Sequence, residues 1–375
     1  MTHAVITGTG LYTPEHAIDN DALVASFNTW VDRENARQAD AIKRGEREPL
    51  AYSSTEFIVK ASGIHSRYVL DAEGILDPDR MRPRLPRRAN DEDSIQCEMG
   101  VVAAREALDR AGVEAGDIDL LIVACSNLER SYPAVAVELQ MALGTRGYAF
   151  DMNVACSSAT FAIDTAANAI GNGSIQRALV VSPEICSAHL NFRDRDSHFI
   201  FGDACTAIVI EADDIATAAS RFEILGTRLV TRYSNAIRNN AGFLNRVTDS
   251  DPLAEDKLFV QEGRRVFKEV CPMVAQLITE HLASAQVSGD RLARLWLHQA
   301  NRHMNDLIAR RVLGVEPTPE QAPVILDRYA NTSSAGSIIA FHLHRDDLPD
   351  NALGVVCSFG AGYSAGSVLV RKVTS

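Results

Sequence analysis

The sequence predicts an α/β layered fold in which the second half of the chain repeats the first, and two observations lead to this prediction. Continuous apolar runs, typical of strands buried on both faces, alternate with segments whose apolar residues recur at helical spacing. Three short stretches of the first half also recur, in the same order, in the second half. Such a duplication predicts two similar halves related by a pseudo-two-fold axis.

The first half starts with a β-branched strand and then departs from regular alternation. Residues 27–55 are polar and charged, with helical spacing over 27–44, and residues 72–94 contain three prolines and the run RMRPRLPRR. We therefore interpret 28–53 and 72–94 as insertions. The predicted elements are a strand at 4–10, a helix at 97–111 ended by Gly112, a strand at 118–125, a helix at 134–143 ended by Gly144, a strand ending at 151, a helix at 158–170, and strands at 178–181 and 206–211.

The second half is predicted to follow the same order. Its elements are a strand at 222–230, a long helix at 260–283, a strand at 292–297, helices at 301–313 and 334–344, and strands at 355–359 and 367–370. We place the two halves at residues 1–218 and 219–375. Because the apolar runs are continuous rather than alternating, we expect largely parallel central strands.

The internal repeats bring three chemically capable residues together. The stretch GDIDLLIVACSN (116–127) resembles GDRLARLWLHQAN (289–301), DMNVACSSA (151–159) resembles DRYANTSSA (327–335), and FGDACTAIVI (201–210) resembles FGAGYSAGSVLV (359–370). In this overlay Cys156 corresponds to Asn331, and each lies before a predicted helix. His298 follows a predicted strand, at the strand end where α/β folds place their sites.

Composition excludes several classes of partner. The net charge of −12 disfavours nucleic acid and anionic membranes, and no apolar run approaches the length of a membrane span. The seven cysteines show no CxxC pair, which is typical of reduced thiols, and the N-terminus resembles a strand rather than a signal peptide. We therefore expect a cytoplasmic protein with no metal site.

Cys156 lies where a predicted strand turns into a predicted helix. Because a helix N-terminus favours an anion, we expect a thiolate nucleophile at neutral pH, although a structural cysteine is also common in such apolar surroundings. A Cys–His–Asn set fits a protease-type triad, in which His298 deprotonates Cys156. It also fits carbanion chemistry, in which Cys156 holds an acyl group while His298 and Asn331 stabilise an enolate oxygen. The overlay favours the second arrangement, with the Cys156 N–H and the glycine loop 359–362 as oxyanion donors.

The motifs together resemble those of the thiolase-fold condensing enzymes, in particular the β-ketoacyl-acyl-carrier-protein synthase III family. They are ACSSA around Cys156, FGDA at 201–204, HQAN at 298–301, YANTSSAG at 329–336 and SFGAG at 358–362. The likeness covers nearly the whole chain except the two insertions. It implies a duplicated αβαβα fold of five layers, which in the family is usually a homodimer.

The resemblance also implies roles for individual residues. The family triad corresponds to Cys156, His298 and Asn331, and the oxyanion hole to the N–H groups of Cys156 and Ala361, in a loop with Gly360 and Gly362. Tyr132 matches an aromatic residue that closes the partner subunit's acyl pocket. Phe57 and Ala188 fall where family members sandwich the adenine of coenzyme A between Trp and Arg. Arg302 and His303 follow HQAN, where an arginine is linked to carrier-protein docking.

The reaction implied by the resemblance is decarboxylative Claisen condensation of an acyl thioester with malonyl-acyl-carrier protein (malonyl-ACP). The chain looks closest to a branch that extends a medium-chain acyl-CoA, such as octanoyl-CoA, to a β-ketodecanoyl product. CoA and carrier-protein thioesters would be substrates, with no cofactor required, and Arg80–Arg88 is a hypothetical further docking run for the carrier protein. The alternatives are a starter-unit acyltransferase or head-to-head acyl condenser of secondary metabolism, a thiol hydrolase, and a non-catalytic relative.

Overall fold

A nine-stranded sheet forms the centre of the computed structural model, which describes residues 3–251 and 254–374. The strands of this sheet and of two small two-stranded sheets are β1 (Ala4–Tyr12), β2 (His16–Asp19), β3 (Ser66–Val69), β4 (Leu120–Ala124), β5 (Tyr148–Met152), β6 (Arg177–Ile185), β7 (Asp203–Ala212), β8 (Ser220–Ser234), β9 (Ile237–Arg238), β10 (Val260–Gln261), β11 (Leu292–Leu297), β12 (Leu353–Gly360) and β13 (Gly362–Thr374). The helices are α1 (Asn20–Arg37), α2 (Ala39–Lys43), α3 (Thr55–Ser62), α4 (Ala72–Leu76), α5 (Ile95–Ala111), α6 (Val135–Leu143), α7 (Ser158–Gly171), α8 (Gly263–Ser284), α9 (Arg302–Leu313), α10 (Leu326–Tyr329) and α11 (Ala335–Leu343).

The large sheet is built symmetrically about the β1–β8 pair. These two strands are joined through Val5 opposite Glu223 and Ile6 opposite Phe222. Outward from β1 lie β7, β6 and β4, and outward from β8 lie β13, β12 and β11, while β5 forms one edge. Corresponding pairs run in corresponding directions, since β4–β6 and β11–β12 are parallel and β6–β7 and β12–β13 are antiparallel. This arrangement confirms the predicted duplicated fold with pseudo-two-fold symmetry.

The expectation of largely parallel central strands is wrong. The four strands around the centre, β7, β1, β8 and β13, are all paired antiparallel. A parallel pair needs a crossover connection, usually a helix, whereas β12 returns directly into β13, and β6 is joined to β7 by a short 3₁₀ turn (Cys186–His189) and a loop without an α-helix. These strands are buried on both faces because helices cover both faces, so their apolar runs do not report strand direction.

Helices pack in three layers around the two halves of the sheet. Helices α7 and α11 lie in the middle, within one apolar cluster that includes strand residues of both halves. Helix α11 is apolar on every side and buried from Ala335 to His342, as expected of a helix enclosed by other elements. Helices α5 and α6 cover the outer face of the first half, and α8 and α9 cover that of the second. The result is the predicted five-layered αβαβα order.

Local sequence signals place most helix ends. Helices α5 and α6 end at Gly112 and Gly144, as predicted, and both glycines have left-handed φ angles of 68° and 77°. The helix predicted to start at residue 260 starts at Gly263, because Val260 and Gln261 pair with β9. In the part of the chain that the structure describes, no helix is long and apolar enough to cross a membrane.

Residues of the two predicted insertions, together with α3 between them, form a cap that is tied to the loop 191–199. Its apolar cluster joins residues of α1 and α3 with Phe192, Phe199 and Phe201. The Arg193 guanidinium lies over the Trp30 ring and donates to the Asp79 carbonyl at 3.0 Å. The cap therefore covers a loop that, as described next, forms one wall of the main cavity.

Candidate active site

A cavity of about 480 Å³ opens between the end of α3, the loop that precedes β7, and helices α8 and α9. Most of its wall is apolar, with aromatic residues such as Phe199, Phe201 and Phe259. Cys156, His298 and Asn331, which lie far apart in the sequence, all line it. The structure thus brings the three predicted catalytic residues into one cavity.

Cys156 differs from the other cysteines of the chain. All seven cysteines lie in described residues; six are buried, whereas Cys156 is half-buried and lines the cavity. It follows β5 and precedes Ser157, the N-cap of α7. Ala155, just before it, has a left-handed φ of 49°, a conformation that costs an L-residue about 1–2 kcal/mol. A structural cysteine needs neither this strained turn nor access to a cavity, so these features favour a nucleophile over a structural cysteine.

The expected thiolate at Cys156 is wrong, because the pKa of the thiol is raised. Burial raises the pKa of Cys156 to about 11, although the neighbouring Ser333 hydroxyl opposes this rise. The backbone N–H groups of Ala361 and Cys156 also act on the sulfur and lower its pKa. The helix N-terminus therefore does not outweigh the cost of burying a charge, and Cys156 is a thiol at neutral pH. The two predicted oxyanion donors nevertheless converge on its sulfur.

Asn331 occupies a turn that matches the Cys156 turn. Ala330, immediately before it, has a left-handed φ of 54°, the counterpart of Ala155. The Asn331 side-chain oxygen accepts the Ser333 backbone N–H at 2.9 Å, which fixes the orientation of the amide. Among the described residues its Nδ2 has no hydrogen-bond partner. The Nδ2 hydrogens are therefore available to an oxygen of a bound substrate.

His298 follows β11 and is held as a neutral imidazole. Its backbone N–H donates to the Cys357 carbonyl at 2.8 Å, and its ring packs edge-on against Phe359, with centroids 5.1 Å apart. Burial lowers the pKa of His298 to about 3, against a smaller opposing effect of the Ser333 backbone. At neutral pH one ring nitrogen keeps a proton, so His298 is suited to donate a hydrogen bond and is a weak base.

The glycine loop packs directly against the nucleophile. A Cβ on Gly360 would lie 2.7 Å from Cys156 Cβ and 2.9 Å from its sulfur, so only glycine fits there. Gly362 has a φ of 132°, which L-residues rarely adopt. A side chain is therefore disfavoured at both Gly360 and Gly362, and the two glycines allow the Ala361 N–H to approach the thiol.

Of the residues predicted to lie around the cavity entrance, some line the cavity and others do not. His303 lines the cavity, with Nε2 3.0 Å from the Lys60 carbonyl oxygen, whereas Arg302 is exposed beside it and packs on Gly63. Tyr132 is 77% exposed and lies outside this cavity of its own chain.

Phe57 has a partner that the sequence did not indicate. The placement of Ala188 at the second adenine-contacting position stays a prediction, whereas the guanidinium of Arg195 lies 3.9 Å from the Phe57 ring centroid. Its Nε donates to the Tyr52 carbonyl at 2.7 Å, and Phe57 packs edge-on against Phe199 of the cavity wall. Arg195 and Phe57 are far apart in sequence, and the path of loop 191–199 in the folded protein brings them together.

The hypothetical docking run Arg80–Arg88 lies apart from the cavity. Arg80 donates to backbone carbonyls of its own segment, and Arg84 and Arg88 pair with Asp77 and Glu98. By contrast, Arg264 and Lys268 of α8 line the cavity, and Arg265 between them pairs with Glu262 and Glu269. Sequence reasoning missed these two cations, although their i, i+4 spacing on one helix face was a usable signal.

Comparison with known proteins places the chain in a family. Residues 150–232 and 282–372 match the family models described as 3-oxoacyl-[acyl-carrier-protein] synthase III and its C-terminal region. The chain is 63% identical over 347 residues to the β-ketodecanoyl-[acyl-carrier-protein] synthase of Pseudomonas aeruginosa, covering 92% of this chain and 99% of that protein. It is 31% identical to the β-ketoacyl-[acyl-carrier-protein] synthase III of Agrobacterium fabrum, covering 87% of this chain and 93% of that protein.

Solved structures show the same fold. The priming β-ketosynthase of the R1128 polyketide pathway superposes with a TM-score of 0.79 at 24% identity, covering 100% of this chain and 97% of its own. The 3-oxoacyl-[acyl-carrier-protein] synthase III of Aquifex aeolicus superposes with a TM-score of 0.76 at 24% identity, covering 98% and 99%. From the sequence relatives and the shared fold, we conclude that this chain belongs to the β-ketoacyl-[acyl-carrier-protein] synthase III family of acyltransferase-type condensing enzymes.

Proposed function

We propose that this protein condenses an acyl thioester primer with malonyl-ACP and so initiates fatty acid synthesis through an acyl-Cys156 intermediate. The observation that supports this most directly is that one apolar cavity contains the thiol, two backbone N–H groups at its sulfur, a neutral imidazole and an amide with free donor hydrogens. This set offers a nucleophile and donors for two different oxyanions.

In the first step the Cys156 sulfur attacks the thioester carbonyl carbon of the primer. The N–H groups of Cys156 and Ala361 stabilise the tetrahedral oxyanion, and the S–C bond to the leaving thiol breaks. The proton of Cys156 ends on the released thiol, so the step exchanges one thioester for another. Because the thiol pKa is about 11, the sulfur must lose its proton as the substrate carbonyl is engaged.

In the second step malonyl-ACP occupies the same cavity. His298 and Asn331 donate hydrogen bonds to its thioester carbonyl oxygen, and the enolate formed as carbon dioxide leaves is stabilised there. The enolate carbon attacks the acyl-Cys156 carbonyl, the S–C bond breaks, and the sulfur takes up one proton. The products are a β-ketoacyl-ACP, carbon dioxide and the free thiol. A donor role fits His298 better than the protease-type base, since a pKa near 3 makes a poor base.

The decisive experiment follows the mass of Cys156. After incubation with an acyl-CoA, the peptide that contains Cys156 should carry the acyl group, and the Cys156→Ala variant should remain unmodified. Acylation at another residue, or at none, would refute the proposal. A product formed from two acyl-CoA molecules without malonyl-ACP would instead support a head-to-head condenser.

We further propose an eight-carbon primer, octanoyl-CoA. The relative at 63% identity is named for a ten-carbon β-ketoacyl product, and condensation with malonyl-ACP adds two carbons. A primer series from acetyl-CoA to dodecanoyl-CoA, each with malonyl-ACP, should give the highest kcat/KM at eight carbons. A maximum at acetyl-CoA would refute the primer assignment but leave the reaction type intact.

The carrier protein and the phosphate-bearing arms of both substrates are proposed to meet cations at the cavity entrance. Arg264, Lys268 and His303 line the cavity, and Arg302 stands beside them. Since docking charges act mainly on encounter, Lys268→Glu should raise KM for malonyl-ACP, more at low salt, with kcat little changed. Arg84→Glu, a change in the run that lies apart from the cavity, serves as the matched control. Equal effects of both variants would contradict this docking surface.

A second copy of the chain is proposed to cover the β5 edge of the sheet. Tyr148 on this edge strand and Val137 and Met141 of the neighbouring α6 are exposed, as is Tyr132 in the preceding loop. Exposed apolar side chains beside an open strand edge are typical of a subunit interface. Light scattering should show a dimer, and Met141→Lys should shift it toward monomer; a monomeric wild-type protein would refute the interface. A cytoplasmic location stays a prediction.

A further inference from the structure

Glu184 is a fully buried carboxylate that the proposed reaction does not use. It lies in β6 with no exposed surface, and no arginine, lysine or histidine forms an ion pair with it among the described residues. Four donors from two serines surround it instead, and the thiols of Cys125 and Cys186 lie 3.6 and 3.9 Å from Oε2. Oε1 accepts the backbone N–H groups of Ser126 and Ser334 at 3.0 and 3.2 Å, and the hydroxyls of Ser126 and Ser334 lie 2.6 and 2.5 Å from its two oxygens.

One pair of these donors leads to the nucleophile. The Ser126 carbonyl accepts the Asn153 side-chain N–H at 3.0 Å, and the Asn153 side-chain oxygen accepts the backbone N–H of Ala155 at 2.9 Å. Ala155 is the left-handed residue that directly precedes Cys156. Glu184 is therefore linked through two residues to the strained turn that presents the thiol.

The other pair leads to the enolate donor. Ser334 is the N-cap of α11, and it follows Ser333, whose backbone N–H fixes the Asn331 amide at 2.9 Å. Ser333 is itself left-handed, with a φ of 50°, and its hydroxyl is beside the Cys156 thiol. The two turns belong to opposite halves of the duplicated fold; Glu184 bonds directly to Ser334 beside the Asn331 turn and reaches the Cys156 turn through Ser126 and Asn153.

We propose that Glu184 is a positioning residue that sets the Cys156 turn and the Asn331 turn relative to each other. This inference rests on the proposed function, since it assigns the two turns to successive steps of that reaction. A carboxylate suits the role because it only accepts hydrogen bonds and offers about four acceptor positions to the four donors. Burying a charge is costly, and these bonds offset much of that cost.

The test uses Glu184→Gln, which keeps the volume but turns one acceptor into a donor facing N–H and O–H groups. Acyl loading of Cys156 is followed by quenched mass spectrometry, and the preloaded enzyme is then chased with malonyl-ACP in a single turnover. We expect both rates to fall by about tenfold or more, the size expected for losing a hydrogen bond to a charged group. Ser126→Ala should slow mainly loading, and Ser334→Ala mainly the chase.

The control is Asp203→Asn, because Asp203 is equally buried and likewise accepts the N–H and hydroxyl of one serine, Ser187. Asp203→Asn should lower the unfolding midpoint without slowing acyl loading and the malonyl-ACP chase to different extents. Wild-type rates in Glu184→Gln, or an equal loss of both steps in all four variants, would overturn the proposal. If Glu184→Gln does not fold, the opposite selectivity of the two serine variants decides it.

A readout that does not depend on the proposed reaction keeps the two hypotheses apart. Iodoacetamide alkylates Cys156 whatever substrate the enzyme uses, and its rate reports the geometry of the thiol turn. We expect Glu184→Gln and Ser126→Ala to change this rate several-fold relative to Ser334→Ala. If the wild-type protein neither loads nor condenses, the proposed function fails; if all alkylation rates are equal, the positioning role fails.

Discussion

Replacing Gly360 by alanine is expected to move the nucleophile out of its working position. The added Cβ would lie 2.7 Å from Cys156 Cβ and 2.9 Å from its sulfur. Carbon atoms in contact are normally about 3.5–4.0 Å apart. The methyl group and the cysteine therefore overlap by about 1 Å.

The structure indicates which group must yield. Gly360 belongs to β12, which is paired with β13 through Gly360 opposite Ser364 and is buried along its whole length. The Cys156 turn lies between β5 and α7, outside the sheet strands, and already has a left-handed residue, so it is the more easily displaced. Overpacking in a buried site costs about 1–3 kcal/mol, and a displacement of about 1 Å at a reacting atom can slow a reaction by about 10²-fold. We expect acyl loading to slow by about 10–100-fold.

The assay is the rate of acyl transfer to Cys156 in a quenched mass measurement, with the folded fraction checked by circular dichroism. Gly116→Ala is the matched control, because a Cβ at Gly116 meets only Arg146 Nε at an ordinary 3.8 Å. It should load at the wild-type rate. Wild-type loading in Gly360→Ala would refute the view that the glycine loop seats the nucleophile.

Three further predictions concern the Asn331 donor, the buried histidines and the buried Arg67. Asn331→Ala should leave acyl loading largely intact but slow condensation of the preloaded enzyme by about 10²–10³-fold, the usual effect of removing one oxyanion donor; equal losses in both steps would contradict a donor role. Burial lowers the pKa of His298 to about 3 and of His189 and His198 to about 4, below the usual 6.5, so the unfolded chain binds protons that the native one does not as pH falls below 6.5. As the pH falls below 6.5, the free energy of unfolding should decrease by about 1.4 kcal/mol per pH unit for each histidine. Asp203 opposes this loss, because burial raises its pKa to about 6 and it therefore adds stability at low pH. A urea midpoint that stays constant or rises from pH 7 to pH 5 would contradict this prediction. Arg67 is fully buried and donates to the Ile18 carbonyl and the Asn20 side-chain oxygen; Arg67→Met should destabilise the fold by about 2–4 kcal/mol by leaving these acceptors unpaired, and a urea unfolding change below about 1 kcal/mol would count against it.

Regular elements were predictable where local signals are strong. The strand Leu292–Leu297 is found where its apolar run predicts it, and glycines end α5 and α6 as expected. The short pairs β2–β3 and β9–β10 were missed, because strands of two to four residues have no periodicity to detect. Strand direction was misjudged because continuous apolar runs report burial on both faces and not the path of the connection.

In the candidate site, too, features with a sequence pattern were predictable and features that depend on packing were not. Internal repetition alone aligned Cys156 with Asn331, and the structure gives both a preceding left-handed alanine. The ionisation of Cys156 was misjudged because the helix-terminus argument considers the turn alone, whereas the pKa depends on how much apolar protein surrounds the sulfur. The contact between Arg195 and Phe57 could not be predicted for a related reason, since the two residues meet only through the folded path of loop 191–199.

The duplicated α/β fold, the three candidate residues of the site and the glycines of the oxyanion loop could be predicted from the chain, because each leaves a local or repeated pattern in it. The protonation of Cys156 and His298, the contact between Gly360 and the nucleophile, and the link from Glu184 to both turns follow only from the folded arrangement. These properties depend on atoms that are distant in sequence and meet only after folding. Burial, which sets the energy of a charge, is a property of the packed molecule and not of any single segment.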